Sequence, residues 1–387
     1  MIKNLSFVSF AFLYANAVGY AFHFFVSRHL GVHGYGEFMV IYALMLSVGN
    51  FINLLSTPVV KELLRHGQEI KKVLSYLRLL GLLLGVSILI LGIVFSELLR
   101  EFFRISKAQY FWVVAGVWFL QQMLMIERAY LQSLERFSLL AISVVFEQSI
   151  RLLSVILFVN LGIIGVLFSF IVSTFSTLSM LFGINRVFFT KPKKISLLSL
   201  IKASLFTSPV GFFVYADDLF IRRIFEPSVA GLYASVSLVG KVFIWLILTF
   251  MTVFFPKFVM YSQKEELVIS FLKKVLLLVF SVFILFEVSL IFVGKYLFVL
   301  LFSEKFLPAF TYLPFYLFAV FILTLTLVFI YLLTALGTKL WLPYLHLFTY
   351  YTGFLVIPFG SVWWYMFYIF FLNLCFLLLY ALSIRSR

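Results

Sequence analysis

The sequence predicts an all-α integral membrane protein of about twelve transmembrane helices in two pseudo-symmetric six-helix bundles. Three observations predict it. Of 387 residues, 64% are hydrophobic and 12% charged, with a mean hydropathy of +1.14. A soluble domain carries roughly 45–50% apolar and about 25% charged residues, too polar a balance for this chain. The apolar residues fall in long unbroken runs rather than alternating at period two, which selects helices over barrel strands. Finally, the basic residues gather in alternate connections, as the orientation rule for membrane helices requires.

The runs place spans at 5–27, 38–60, 79–99, 110–134, 137–160 and 162–184, then at 203–225, 230–255, 275–294, 314–336, 340–360 and 362–384. Each is long enough to cross a hydrocarbon core, which takes about 20 residues. Each can close its own backbone hydrogen bonds in lipid. The opening Met1-Ile2-Lys3-Asn4 runs straight into a span too long for the apolar region of a signal peptide, so the first helix is expected to stay.

With the N-terminus in the cytoplasm, about 20 of the 30 Lys and Arg fall on that side, among them Arg78 and Arg128. Both termini are then cytoplasmic, and a cytoplasmic (inner) membrane is expected. The formal charge of +15 reads as topology and contact with anionic lipid. No basic stripe with interleaved aromatics lies outside the spans, so nucleic acid is not expected as a partner.

The longest basic connection, around Lys191-Pro192-Lys193-Lys194, divides the chain into a bundle over 1–184, a cytoplasmic linker over 185–202 and a second bundle over 203–387. An internal repeat supports the division. Arg28 stands seven residues before Tyr35-Gly36, and Arg223 stands seven before Ala230-Gly231, an offset of 195. The same offset aligns Leu77-Arg78 with Leu272-Lys273. Both halves start inside, so the expected symmetry axis lies along the membrane normal, with a binding site between the halves.

Ionisable groups inside spans are costly and mark pathways or binding sites. The only aspartates, Asp217 and Asp218, are adjacent in span seven. Asp218 and Arg222 are spaced to pair on one helix face, as are Glu147 and Arg151 in span five. Lys241 and Glu287 lie deep in spans eight and nine, without a partner at helical spacing. Such pairs can simply neutralise themselves and hold helices together. Alternatively, the cations hold an anionic headgroup and the carboxylates couple transport to an ion gradient. His23 in span one is expected to donate to a backbone carbonyl.

The lone Cys375 cannot form an intrachain disulfide and reads as a small apolar residue. Neither HExxH nor Cys/His spacing occurs, nor a P-loop, GxSxG or GxGxxG, so no metal or other cofactor is expected.

Four stretches carry a resemblance: Leu30-Gly31-Val32-His33-Gly34-Tyr35-Gly36-Glu37-Phe38; Asp218-Leu219-Phe220-Ile221 with Ala230-Gly231-Leu232-Tyr233-Ala234 and Val239-Gly240-Lys241; Leu301-Phe302-Ser303-Glu304-Lys305-Phe306-Leu307-Pro308-Ala309; and Leu131-Gln132-Ser133-Leu134-Glu135-Arg136-Phe137. The chain resembles the polysaccharide-biosynthesis transporters, the O-antigen repeat-unit flippases. They belong to the multidrug/oligosaccharidyl-lipid/polysaccharide (MOP) superfamily, which also contains the MATE exporters. The family usually has glycine where Ser133 and Ser303 stand.

The resemblance implies a MATE-like fold, alternating access and a polyprenyl-pyrophosphate-linked sugar unit flipped for surface polysaccharide assembly. Arg28, Arg128, Arg151, Arg223 and Lys241 are the candidates for the anion. Asp217, Asp218, Glu147 and Glu287 are the candidates for ion coupling. Membrane lipids, the lipid-linked glycan and other polysaccharide-assembly proteins are the expected partners of a monomer.

Three alternatives stand beside it. A MATE-like exporter of organic cations shares the fold but needs a negative cavity. A membrane-embedded polymerase or glycosyltransferase needs carboxylates or a metal on a sizeable outer loop, and the longest one, near 295–313, holds the single acid Glu304. A purely structural membrane protein has no need of buried charge in both halves.

Overall fold

The structure is a computed structural model that describes residues 2–54, 56–65, 69–185, 191–193, 209–262 and 264–385. Every regular element among them is helical. In order they are α1 (Ile2–Leu54), α2 (Ser56–Arg65), α3 (Ile70–Val94), α4 (Ser96–Phe103), α5 (Gln109–Ser133), α6 (Phe137–Phe158) and α7 (Ile163–Asn185). After them come α8 (Pro209–Ile224), α9 (Pro227–Tyr261), α10 (Glu265–Phe302), α11 (Leu313–Leu336), α12 (Trp341–Val356) and α13 (Val362–Arg385). Short 3₁₀ turns cover Val159–Leu161 and Glu304–Tyr312.

Nine helical stretches among the described residues are long and apolar enough to cross a membrane. The kinked α1 holds two of the expected spans in one stretch, and α8 and α12 are 16 residues each. The chain is a multi-pass, all-helical membrane protein. Its outward faces are apolar: Leu157 is 72% exposed and Phe292 75%. Surfaces of that kind belong against lipid.

The chain divides into two compact units, Met1–Ser208 and Pro209–Arg387. Most of the expected linker 185–202, and the start of expected span seven over 203–208, lie outside the described residues.

In the first unit, α3 packs on α5, α1 on α6, and α7 on both α5 and α6. The glycines of Gly34-Tyr35-Gly36 suggest a tight turn between spans one and two, but these residues are helical and the chain breaks at a single residue, Gly31. Gly31 has φ +64° and ψ −177°, a conformation essentially closed to residues with a Cβ, and helix continues on both sides. Beyond it, the buried Glu37 accepts a hydrogen bond from the Ser106 backbone N–H at 2.5 Å, tying α1 to the connection between α4 and α5.

Two boundaries in the first unit differ from the expectation. Span two was expected over 38–60; α1 runs to Leu54 and the separate α2 continues to Arg65. Span three was expected from 79, but α3 begins at Ile70, and Arg78, expected in a cytoplasmic connection, is a buried helical residue. The physical reason is its partner. Arg78 donates from Nε to Glu127 Oε1 at 2.6 Å and from Nη2 to Oε2 at 2.8 Å. A charge neutralised in this way can stay inside a bundle.

In the second unit, α11 is the most enclosed helix and packs against α9 and α13, while α8 lies against α9 and α12. The long α10 is mostly exposed. The expected outer loop near 295–313 is instead the end of α10 and the 3₁₀ turn, with Ser303 between them at φ +98°. Trp363 and Trp364 open α13 with exposed rings, as an interfacial anchor would.

Candidate functional site

Each unit contains one polar cluster built from the expected residues. In the first unit it grows from Glu147 on α6. One helical turn on, Arg151 donates from Nη2 to Glu147 Oε1 at 2.5 Å, the pairing its i,i+4 spacing predicts. Its Nη1 reaches Gln148 Oε1 at 3.2 Å, and its Nε reaches Ser173 Oγ on α7 at 3.4 Å. The guanidinium lies 4.4 Å over the Phe170 ring, a favourable cation–π placement.

Arg128, expected on the cytoplasmic side, turns into the same cluster from α5. Its Nη2 donates to Glu147 Oε2 at 2.8 Å and to the Ser143 carbonyl at 3.1 Å, and its Nε donates to Ser143 Oγ at 3.1 Å. Two guanidiniums thus share one carboxylate and leave one net positive charge. The Arg128 side chain is 22% exposed, against 7% for Glu147. No acceptor among the described residues takes a hydrogen bond from Arg128 Nη1. Arginine presents five N–H donors in a fixed fork suited to carboxylate and phosphate oxygens. The cluster is therefore chemically equipped to hold an anion.

Tyr14 hydrogen-bonds Ser149 at 2.8 Å beside it. His23 is buried against the Tyr42 ring, 4.6 Å between centroids. Its Nδ1 faces the Tyr35 hydroxyl at 3.4 Å, not the expected backbone carbonyl. Arg28 is not part of the cluster. It is exposed on α1, about 21 Å along the helix from Tyr14 at 1.5 Å per residue.

In the second unit the cluster forms around Asp217, Asp218 and Lys241. Lys241 on α9 donates to Asp217 Oδ1 at 3.0 Å, to Asp218 Oδ2, and to Ser237 Oγ at 2.7 Å. Asp217 Oδ2 accepts from the hydroxyls of Tyr233 at 2.8 Å and Tyr316 at 2.7 Å. Tyr365 donates to the Asp217 carbonyl at 2.5 Å. A Cβ at Gly240 would collide with the Tyr316 ring, so glycine at that position gives the tyrosine its path to Asp217.

Three expectations change here. Lys241 is not a lone cation, and Asp217 is the best-bonded carboxylate of the cluster. Asp218 forms its ion pair with Lys241 on α9. Arg223 is half-exposed near the end of α8, six residues past Asp217 and outside the cluster. Glu287 is half-buried on α10 between the exposed Leu285 and Val288, and its Oε2 has no hydrogen-bond partner among the described residues.

Sequence reading missed the Arg78–Glu127 pair, to which Asn185 Nδ2 adds a hydrogen bond at 2.7 Å. It also missed the tyrosines around Asp217. The signal for Arg78 was a charge flanked by leucines on both sides.

No protein-family model and no curated protein matches the sequence. The solved structures are a different matter. A MATE multidrug-resistance transporter of the MOP superfamily in an inward-facing conformation superposes with a TM-score of 0.79 at 13% identity, over 96% of this chain and 95% of that one. The chain has the MATE fold. A MATE transporter in an outward-facing conformation gives 0.64 at 14% identity, over 100% and 95%. A MOP transporter from Pyrococcus furiosus gives 0.54 at 14% identity, over 99% and 96%. At these identities it is the MATE fold alone that is shared.

Proposed function

We propose that the protein is an alternating-access transporter that flips a polyprenyl-pyrophosphate-linked oligosaccharide unit across the cytoplasmic membrane for surface polysaccharide assembly. The observation that carries this reading is the shared carboxylate of Arg128 and Arg151 with its surplus positive charge. A pyrophosphate is a doubly anchored anion that such a fork suits. The MATE fold supports the transport class. The Pyrococcus furiosus protein is described as having a binding pocket of reverse polarity that suggests a different function.

In this reading the protein works as a monomer, is not an enzyme and keeps both termini in the cytoplasm. Bilayer lipids and other polysaccharide-assembly proteins are its neighbours. Arg128 and Arg151 hold the pyrophosphate, and Glu147 keeps both guanidiniums in place. Arg28 and Arg223, exposed or half-exposed, meet the anion on entry or exit. Asp217 and Asp218 carry ion coupling, with Glu287 as a further candidate.

A second reading rests on the other cluster. Two carboxylates among Tyr215, Tyr233 and Tyr316 would suit an organic cation, as in a MATE-like exporter.

The deciding experiment uses liposomes containing the protein and a polyprenyl-pyrophosphate oligosaccharide, followed for transbilayer movement. Saturable movement should fall about tenfold or more in Arg128→Ala and in Arg151→Ala, as expected for the loss of a charge-assisted hydrogen bond. Movement equal to that in protein-free vesicles sinks the proposal. Export of cationic dyes in its place selects the second reading.

A further inference from the structure

Three buried polar atoms of α12 and α13 have no hydrogen-bond partner among the described residues: His346 Nε2, the Tyr350 hydroxyl and Asn373 Oδ1. All three side chains are fully buried. The packing puts them in one layer. His346 and Tyr350 are one turn apart on the same face of α12. The His346 ring stacks on Phe376, 4.0 Å between centroids, and Phe376 stands one turn past Asn373 on α13. Tyr350 lies against Tyr368, five residues before Asn373. Asn373 thus falls between the two contacts, and its side chain lies beside the Tyr350 hydroxyl. Phe213 of α8 packs on the His346 and Tyr350 rings at 4.6 and 5.7 Å.

The other polar atoms of the histidine and the asparagine are already committed. His346 Nδ1 faces the Tyr380 hydroxyl at 3.2 Å, and Asn373 Nδ2 donates to the Ile369 carbonyl at 2.6 Å. What is left over is one ring nitrogen, one hydroxyl and one amide oxygen. The amide oxygen only accepts, the hydroxyl donates or accepts, and the ring nitrogen does whichever its tautomer sets. Such groups are costly to bury unpaired. We infer that His346, Tyr350 and Asn373 form a binding site for a water molecule that joins α12 to α13. The water donates to Asn373 Oδ1 and bonds the other two atoms in the sense the tautomer dictates. A buried water typically makes about three hydrogen bonds, the number this site offers. With both nitrogens bonded, His346 has its tautomer and ring orientation fixed. The site is independent of the transported molecule.

The test needs no transport. An experimental structure of the full chain in lipid nanodiscs, at a resolution that shows ordered water, should hold a density peak within about 3.2 Å of all three atoms. Thermal unfolding then reads the coupling through that water. His346→Phe and Asn373→Leu should each lower the midpoint by about 5 °C, because each strands the groups that remain. The double variant should lose clearly less than the sum, since residues that share a ligand are not independent. Adding Tyr350→Phe should regain part of the loss, because no polar group of the layer is then left to satisfy.

The inference is overturned if the wild-type structure shows no density between the three atoms, or if Asn373 and Tyr350 are found bonded directly to each other with no water between the helices. Additive losses in the double variant overturn it as well, since the two residues would then share nothing. Where a variant does not fold, the wild-type density decides alone.

Discussion

Arg78 on α3 and Glu127 on α5 form a two-point ion pair, 2.6 and 2.8 Å, with both side chains withdrawn from the surface. The guanidinium also lies 4.7 Å over the Phe182 ring of α7, and Asn185 at the end of α7 donates to Glu127. Three helices of the first unit are joined at one carboxylate. Removing either partner alone strands a buried charge, whereas removing both does not. Arg78→Met or Glu127→Leu is expected to cost about 3–5 kcal/mol. The double variant should regain most of that loss. Thermal unfolding in detergent measures all three, and additive losses in the double variant would show that the pair is not coupled.

Two backbone positions make opposite predictions. Gly31 has φ +64° where a side chain is strained, and Ser303 has φ +98° where its own side chain already is. Such conformations cost of order 1–3 kcal/mol in a residue with a Cβ. Gly31→Ala should therefore destabilise and Ser303→Gly should stabilise, each by about 1–2 kcal/mol. Unfolding midpoints moving in the same direction would refute the argument. The serine at 303, a minor departure from the family's usual glycine when read as sequence, is a strained position in the fold.

A pH dependence is expected at Glu69. This residue precedes α3, outside the membrane-spanning segments. Hydrogen bonds from Lys193 and Lys72 hold its carboxyl below the ordinary value of 4.5. The Lys193 N–H also donates to the Lys72 carbonyl at 3.2 Å. A depressed carboxyl stabilises its contacts fully above its unfolded value and loses that contribution as pH falls through the folded one. Attachment of residues 191–193 to the start of α3 should thus hold at neutral pH and loosen below about pH 4.5. Hydrogen exchange at Lys193 reads this directly. Glu69→Gln should lack that protection at every pH, and a wild type whose protection relative to the intrinsic exchange rate is unchanged down to pH 3 would contradict the assignment.

The sequence by itself determined the membrane class, the order of the helices and the Glu147–Arg151 pair. These are local properties: hydropathy over twenty residues and a spacing of four along one helix. The turn that the glycines around Tyr35 suggested falls instead at Gly31. Tertiary structure alone decided the partners across helices. Arg78 left its expected loop because Glu127, 49 residues away, packs beside it. Arg128 joined Glu147 from a neighbouring helix, and Lys241 took both aspartates, leaving neither lysine nor Asp217 alone. Which charges meet depends on how each helix is rotated about its axis and which neighbour it packs on. Rotation by one residue, about 100°, exchanges a partner for lipid, and that angle is set by the packing of side chains distant in the chain.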